Sequence, residues 1–313
     1  MTITAAQVKE LRERTGCGMM DAKKALEEAA GDMEKAGEIL RQRGIATAEK
    51  KSNRAAADGQ VVALVADDKK SGVLVEINCE TDFVAKGDAF QALTHDVVNH
   101  IAAEKPESLE ALVKQPSKVM AGQTVQDYIT DKIASIKENI TVRRFVRYEL
   151  KSPGAIHAYI HTGGKIGVLL ELVAGSDATP AKPEFQQLLK DVAMQIASSS
   201  PEFVTRDDIS PEVIEAETRV EMGKEDLQSK PEEIRKKIVE GRVNKLLGQR
   251  VLVEQPFVKN PDQTITDLLA DLGKQLGDPQ LKVVRFTRYL LGEGIEKKES
   301  NFAEEVAAAA GAR

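Results

Sequence analysis

The sequence predicts an α+β protein in which a small N-terminal three-helix domain precedes two related subdomains, each a short antiparallel sheet covered by helices. Three observations carry that prediction. Residues 1–54 hold three helical stretches with their own start and stop signals. A hairpin-and-helix pattern then occurs twice at a constant offset of 95 residues. The second copy also carries a helical-hairpin, coiled-coil-like insert that the first copy lacks.

In the N-terminal segment, Thr4 with Gln7 three residues later forms a capping box, each side chain satisfying a free backbone N–H at the helix start. Val8 and Leu11 supply the apolar face, and Gly16 a stop. Ala22, Ala25, Leu26 and Ala29 line one side of a second helix that Gly31 ends. Asp32 caps a third, where Met33, Ala36 and Leu40 share a face and Gly44 closes the segment. Three such short helices bury only a small core. Residues 45–59 have few large apolar side chains and read as a linker; it explains the basic stretch Arg41–Arg54 more simply than a nucleic-acid site does.

The repeat follows. Gly59, Ala63, Lys70, Gly72, Val73, Leu74 and Glu76 return as Gly154, Ala158, Lys165, Gly167, Val168, Leu169 and Glu171. The match continues into a helix, where Phe90, Gln91, Leu93, Asp96 and Val97 return as Phe185, Gln186, Leu188, Asp191 and Val192. The β-branched runs Val61–Val65 and Val73–Cys79 flank a polar turn and predict a hairpin, with Ile156–Ile160 and Ile166–Val173 as its counterpart. Ile140–Leu150 and Leu281–Leu291 share Val, Arg, Phe, Arg, Tyr and Leu, and each follows a Gln-Thr-x-x-Asp signal, at Gln123 and Gln263. Each is expected to join its own hairpin as a third strand. The resulting division is 1–54 for the helical domain and linker, 55–150 and 151–291 for the two subdomains, and 292–313 for a C-terminal module.

The halves differ in two places. Pro106 to Ile140 spans 34 residues and Pro201 to Leu281 spans 80, which leaves an insert of about 46 residues near 205–250. Val213, Val220 and Leu227 recur at seven, and Ile234, Val239, Val243 and Leu246 follow at looser spacing. Pro231 between the runs suits the first turn of a second helix. The seam of this helical finger either packs internally or pairs with another chain, a second copy included. The other difference is a loop. After Cys79 comes Glu80-Thr81-Asp82-Phe83-Val84-Ala85-Lys86-Gly87, leading into a helix that Asp88 can cap. The aligned stretch has Asp177 opposite Asp82 but Ala178 opposite Phe83. Phe83 either folds onto its own core or stands as an exposed anchor for a partner's pocket.

Composition narrows the function classes. The 313 residues carry 44 basic and 50 acidic side chains, a net charge of −6, so the chain as a whole exerts no pull on phosphate backbones. The start turns charged and helical at once, unlike a secretory or transit signal. The most apolar stretch, Ile166–Ala174, is interrupted by Glu171 and far too short to span a bilayer. Two cysteines in no CxxC pattern fit a reducing cytoplasm. Gly163-Gly164-Lys165 lacks the earlier glycine of a P-loop and lies in a hairpin turn. His157 and His161, four apart on a strand, stand ~13 Å apart and cannot share one metal. No nucleophile has an evident base. An adaptor, or a hydrolase or transferase with its site between the subdomains, remains as a rival class.

The segments KELRERTGCGMMDAKKAL, NCETDFVAK, HTGGKIGVL and GEGIEKKESNFAEEVA, with this domain order, resemble the elongation factor Ts family over nearly the whole chain. The length of the first subdomain around residues 104–123 departs from the family's pattern. The resemblance implies a ubiquitin-associated-like N-terminal domain and a non-enzymatic guanine-nucleotide exchange factor without cofactor or metal. It implies that the loop Thr81, Asp82, Phe83 and Val84 enters the GTPase domain of elongation factor Tu and disturbs its magnesium site. Lys9, Met19, Met20, Lys23 and His161 match further partner-contact positions. His161 reads equally as an ordinary polar turn residue, and adjacent methionines on one helix cannot both face the same core. The C-terminal segment Asn301–Ala310 reads as a short Ala-rich helix able to dock on the partner or to fray.

Overall fold

A computed structural model describes residues 3–119 and 122–296; the C-terminal helix expected at 301–310 lies outside the described residues. Helices α1 (Ala5–Thr15), α2 (Met19–Glu28) and α3 (Met33–Lys51) form the N-terminal unit around Val8, Leu11, Ala22, Ala25, Leu26 and Ala36. The Thr4–Gln7 capping box is present, and the Asp32 carboxylate accepts from the Glu34 and Lys35 N–H groups.

The expected stop at Gly44 does not occur, because α3 runs on for two further turns to Lys51. Gly44 is buried, and a Cβ there would stand 3.5 Å from Ala134 of a later helix. This glycine therefore marks a helix–helix contact, and tertiary packing outweighs its poor helix propensity. Ala48 then reaches the core of the first sheet-containing half. The expected linker is thus helical as far as Lys51.

Strands β1 (Asp58–Val65) and β2 (Ser71–Cys79) form the first hairpin. They lead through the single turn α4 (Asp82–Ala85) into α5 (Asp88–Glu104). Asp88 does not cap α5: the N-cap is Gly87, with no side-chain cap, and Asp88 is the first helical residue, where its charge still favours the helix dipole. Next come α6 (Leu109–Lys114), α7 (Val125–Ile136) and β3 (Thr141–Glu149), which pairs antiparallel with β2. The stretch that resisted placement folds as α6 and a bridge between Pro116 and Thr124.

The second half repeats the plan with β4 (Gly154–Ile160), β5 (Ile166–Val173) and α8 (Pro183–Ser199). The finger contains α9 (Pro211–Met222), the short α10 (Glu225–Gln228) and α11 (Glu232–Arg250). The chain leaves and returns at one point, where Phe203 bridges Val251 in parallel. The small hairpin β6 (Pro256–Phe257) and β7 (Asn260–Thr264), α12 (Ile265–Leu276) and β8 (Lys282–Leu290) complete the half, with β8 joining β5. Thr124 with Asp127 and Thr264 with Asp267 both form capping boxes, which is what the two Gln-Thr-x-x-Asp signals encode.

The regular heptad expected in the finger is broken. Val220 and Ile234 are exposed, whereas Leu227, Val239, Val243 and Leu247 are buried with Val213 and Met222 against them. Leu247 rather than Leu246 faces the seam, and Pro231 caps α11 from just outside it. The short α10 breaks the strict spacing between the two longer helices, so the seven-residue period cannot persist across it.

The two three-stranded sheets pack on each other through Val61, Leu74, Tyr148, Ile156, Leu169 and Tyr289. Each sheet's other face is covered by its own helices, with Phe90, Leu93, Val97 and Ile101 in one core and Phe185, Leu189, Val192 and Ile196 in the other. Two carboxylates at repeat-equivalent positions are buried: Glu76 accepts from Arg144 Nε at 2.6 Å, and Glu171 from Arg285 Nε at 2.7 Å. Glu76 also accepts from the Gly292 N–H at 2.8 Å and from Arg143 at 3.0 Å. Burial alone would raise its pKa, but these three partners hold it below the usual carboxylate range.

Candidate partner-contact site

The loop after β2 is a single helical turn fastened at both ends. Thr81 caps it, its Oγ1 accepting from the Val84 N–H at 3.2 Å. Ala85 is buried, and Val84 packs partly on the first core. Beyond the turn, Gln91 donates to the Ala85 carbonyl at 2.8 Å. Phe83 lies on the outer side of this turn and is 84% exposed. It does not fold back onto its own core. Beside it, Asp82 is exposed and Lys86 donates to it at 2.7 Å; that hydrogen bond and the lysine charge keep the carboxyl below its ordinary pKa.

The base of the turn is held by residues that sequence reasoning missed. The Glu138 carboxylate accepts from the Glu80 and Thr81 N–H groups, each at 3.0 Å, and from Thr81 Oγ1 at 2.7 Å. The Asn139 N–H in turn donates to Glu80 at 2.6 Å. Nothing in local spacing links residues 57 positions apart, but the second half makes an analogous tie. In the second half Asp278, also just ahead of the closing strand, accepts from the Gly175 N–H at 2.9 Å and from Thr179 Oγ1 at 2.6 Å. A carboxylate thus ties the post-hairpin loop in both halves. Only the first half's loop carries an aromatic at its apex, since Ala178 occupies the equivalent place.

Three other predicted residues, His161, Met19 and Met20, lie around this end of the molecule. His161 is exposed in the β4–β5 turn, where Nδ1 is 3.0 Å from Tyr159 Oη. That turn abuts the start of β1, with the Val61 N–H donating to the Gly164 carbonyl at 2.8 Å. Lys165 of the same turn is near enough to contribute to the lowered Asp82 pKa. Met19 and Met20 open α2 and are 49% and 63% exposed, so both side chains face largely outward. Asp21 of that first turn pairs with Lys137 at 3.6 Å, next to Glu138. Lys9 and Lys23 are exposed, each 3.8 Å from a glutamate one helical turn on, Glu13 and Glu27. No distance ties Lys9 or Lys23 to the Phe83 turn.

Among the described residues no group of three or more His, Cys, Asp or Glu side chains is arranged to hold a metal ion. No described helix is long and apolar enough to cross a membrane. Cys79 is buried beneath the loop, and burial pushes its thiol pKa up to about 12, which leaves it a poor nucleophile.

What this end of the molecule offers is contact surface, with apolar side chains displayed on fastened backbone. The family model for elongation factor TS matches residues 80–293. The chain is 48% identical over 311 residues to elongation factor Ts of Trichlorobacter lovleyi, covering 99% of both chains. It is 47% identical over 313 residues to that of a Nostoc species, again with 99% of both covered. Against elongation factor Ts of Clostridium perfringens it is 45% identical over 305 residues, 97% of this chain and 98% of the relative. The chain belongs to the elongation factor Ts family.

Proposed function

We propose that this chain is a cytoplasmic guanine-nucleotide exchange factor of translation elongation, acting by contact on the GDP-bound GTPase elongation factor Tu. The observation that carries the reading is Phe83, 84% exposed on a turn whose backbone is pinned at Thr81 and Ala85. An aromatic held out by its own fold has already met its conformational cost before binding, which favours its use as an anchor. In this mechanism Phe83 enters between helices of the GTPase domain, with Asp82 and Val84 at its flanks. Mg²⁺ at nucleotide sites is held by few protein ligands together with phosphate oxygens and waters, so small helix shifts suffice to loosen it. Met19 and Met20, with Lys9, Lys23 and His161, supply further contacts. Factor and nucleotide need not touch, and by linkage each weakens the other's binding to the same degree.

The test is stopped-flow release of fluorescent GDP from elongation factor Tu. The chain is expected to accelerate release strongly, and Phe83→Ala to lower the maximal rate by at least about tenfold, or about 1.4 kcal/mol of transition-state stabilisation. Binding without acceleration by the native chain would leave an adaptor role in place of exchange.

A further inference from the structure

Three consecutive residues between α7 and β3 tie together the parts of the molecule that display Phe83 and the paired methionines. Lys137 has a left-handed backbone, φ 69°, and reaches Asp21 in the first turn of α2 at 3.6 Å. Glu138 receives the three hydrogen bonds from Glu80 and Thr81. Asn139 donates through its backbone to Glu80, and through Nδ2 to the Arg54 carbonyl at 2.8 Å and the Ser52 carbonyl at 3.4 Å, just past the end of α3. Arg54 closes the circuit with an ion pair to Glu80 at 3.4 Å.

Within that junction Glu138 has a particular place. Both of its oxygens are used, one by two adjacent backbone N–H groups and the other by a hydroxyl that itself caps the Phe83 turn. Hydrogen bonds to an ionised acceptor are shorter and stronger than neutral ones, and two adjacent amides on one oxygen fix direction as well as distance. Without them, Thr81 Oγ1 would keep only its bond to the Val84 N–H, and a lone helical turn has little stability of its own. We propose that Glu138 is a positioning residue for nucleotide exchange: it never meets the nucleotide, and it sets the angle at which Phe83 leaves the body. This rests on the exchange reading above.

The repeat supplies an internal comparison. Asp278 makes the corresponding tie in the second half, on a loop whose apex is Ala178. Losing that tie costs stability without touching an anchor. The proposal therefore requires Glu138 and Asp278 to differ in what their loss does to exchange.

The experiment measures fluorescent GDP release from elongation factor Tu against concentration of the full chain, for the native protein, Glu138→Ala, Glu138→Gln, Thr81→Val and Asp278→Ala. Glu138→Ala is expected to lower the maximal release rate about tenfold and to shift the half-saturating concentration by less than about threefold. Glu138→Gln still accepts from both amides and should recover most of the rate. Thr81→Val, which loses only the hydroxyl, should fall between them and serves if Glu138→Ala fails to fold. Asp278→Ala should leave the rate at saturation near native. Amide exchange on the free proteins reads the positioning directly, with the Glu80 and Thr81 amides expected to exchange faster in Glu138→Ala than in native protein.

Native-like release by folded Glu138→Ala, or equal loss in the Gln and Ala variants, would overturn the proposal. A loss in Asp278→Ala matching that in Glu138→Ala would also overturn it, by reducing the effect to general stability. If the native chain fails to accelerate release, the exchange reading falls, while the amide measurement still decides whether Glu138 holds the loop.

Discussion

The guanidinium of Arg144 lies 4.2 Å from the ring centre of Tyr289, which belongs to the opposite sheet. The relation is reciprocal, with Arg285 lying 4.1 Å over Tyr148. Each arginine also holds the buried carboxylate of its own sheet, Glu76 or Glu171. The charge that would be costly to bury is thus neutralised within one half and spent again on the ring of the other.

From this follows a stability prediction. Arg285→Ala leaves the buried Glu171 without its half-exposed guanidinium partner and should cost about 1–3 kcal/mol in urea unfolding. A double-mutant cycle on Arg144 and Tyr289 should show a coupling of about 0.5–2 kcal/mol. Coupling within error of zero would make the stacking incidental.

Gly72 and Gly167 occupy equivalent places where the sheets meet. A Cβ at Gly167 would stand 2.4 Å from Val61 and 2.8 Å from Leu74; one at Gly72 would stand 2.7 Å from Ile156 and 3.0 Å from Leu169. Both substitutions to alanine should destabilise by overpacking, about 1–3 kcal/mol each, with Gly167→Ala the worse. Thermal melts of the two variants rank them directly.

His157 on β4 gives a pH dependence. Burial, with Lys69 and Lys190 nearby, lowers its pKa from 6.5 to about 4. The unfolded chain therefore binds the proton more readily than the folded one. This contribution is complete above about pH 6.5, declines as pH falls and is exhausted below about pH 4. The ring is only partly covered, so the loss across that window should be about 1–2 kcal/mol. His157→Gln should flatten the stability profile between those limits, as read by denaturant midpoints at stepped pH.

Much of the architecture was legible because the chain is its own comparison. Both hairpins and both closing strands were marked by residues that recur, and the capping signals at Thr4 and Asp32 lie at real helix starts, whereas Asp88 sits one place inside its helix. The errors arose where one residue type serves two purposes. Gly44 reads as a helix stop in isolation, and only the proximity of Ala134 explains why the helix passes through it. Val220 and Ile234 were expected in the seam of the finger, yet both are exposed, and the short α10 breaks the register between the two longer helices. At the contact site, the contrast between Phe83 and Ala178 was visible in the repeat, while its exposure depended on backbone geometry. Glu138 was invisible locally, since its partners are set by the meeting of β2 and β3.

The fastening of the Phe83 turn has a mechanical meaning. A wedge works only if it is stiffer than what it enters, because the softer body takes up the deformation. Here a push on the aromatic passes through Ala85 and Val84 into one core, and through Thr81 and Glu138 towards β3 and the start of α2. Under the exchange mechanism proposed above, the recoil is spread over the first sheet and the helical unit beside it, and work done at the tip is delivered outward.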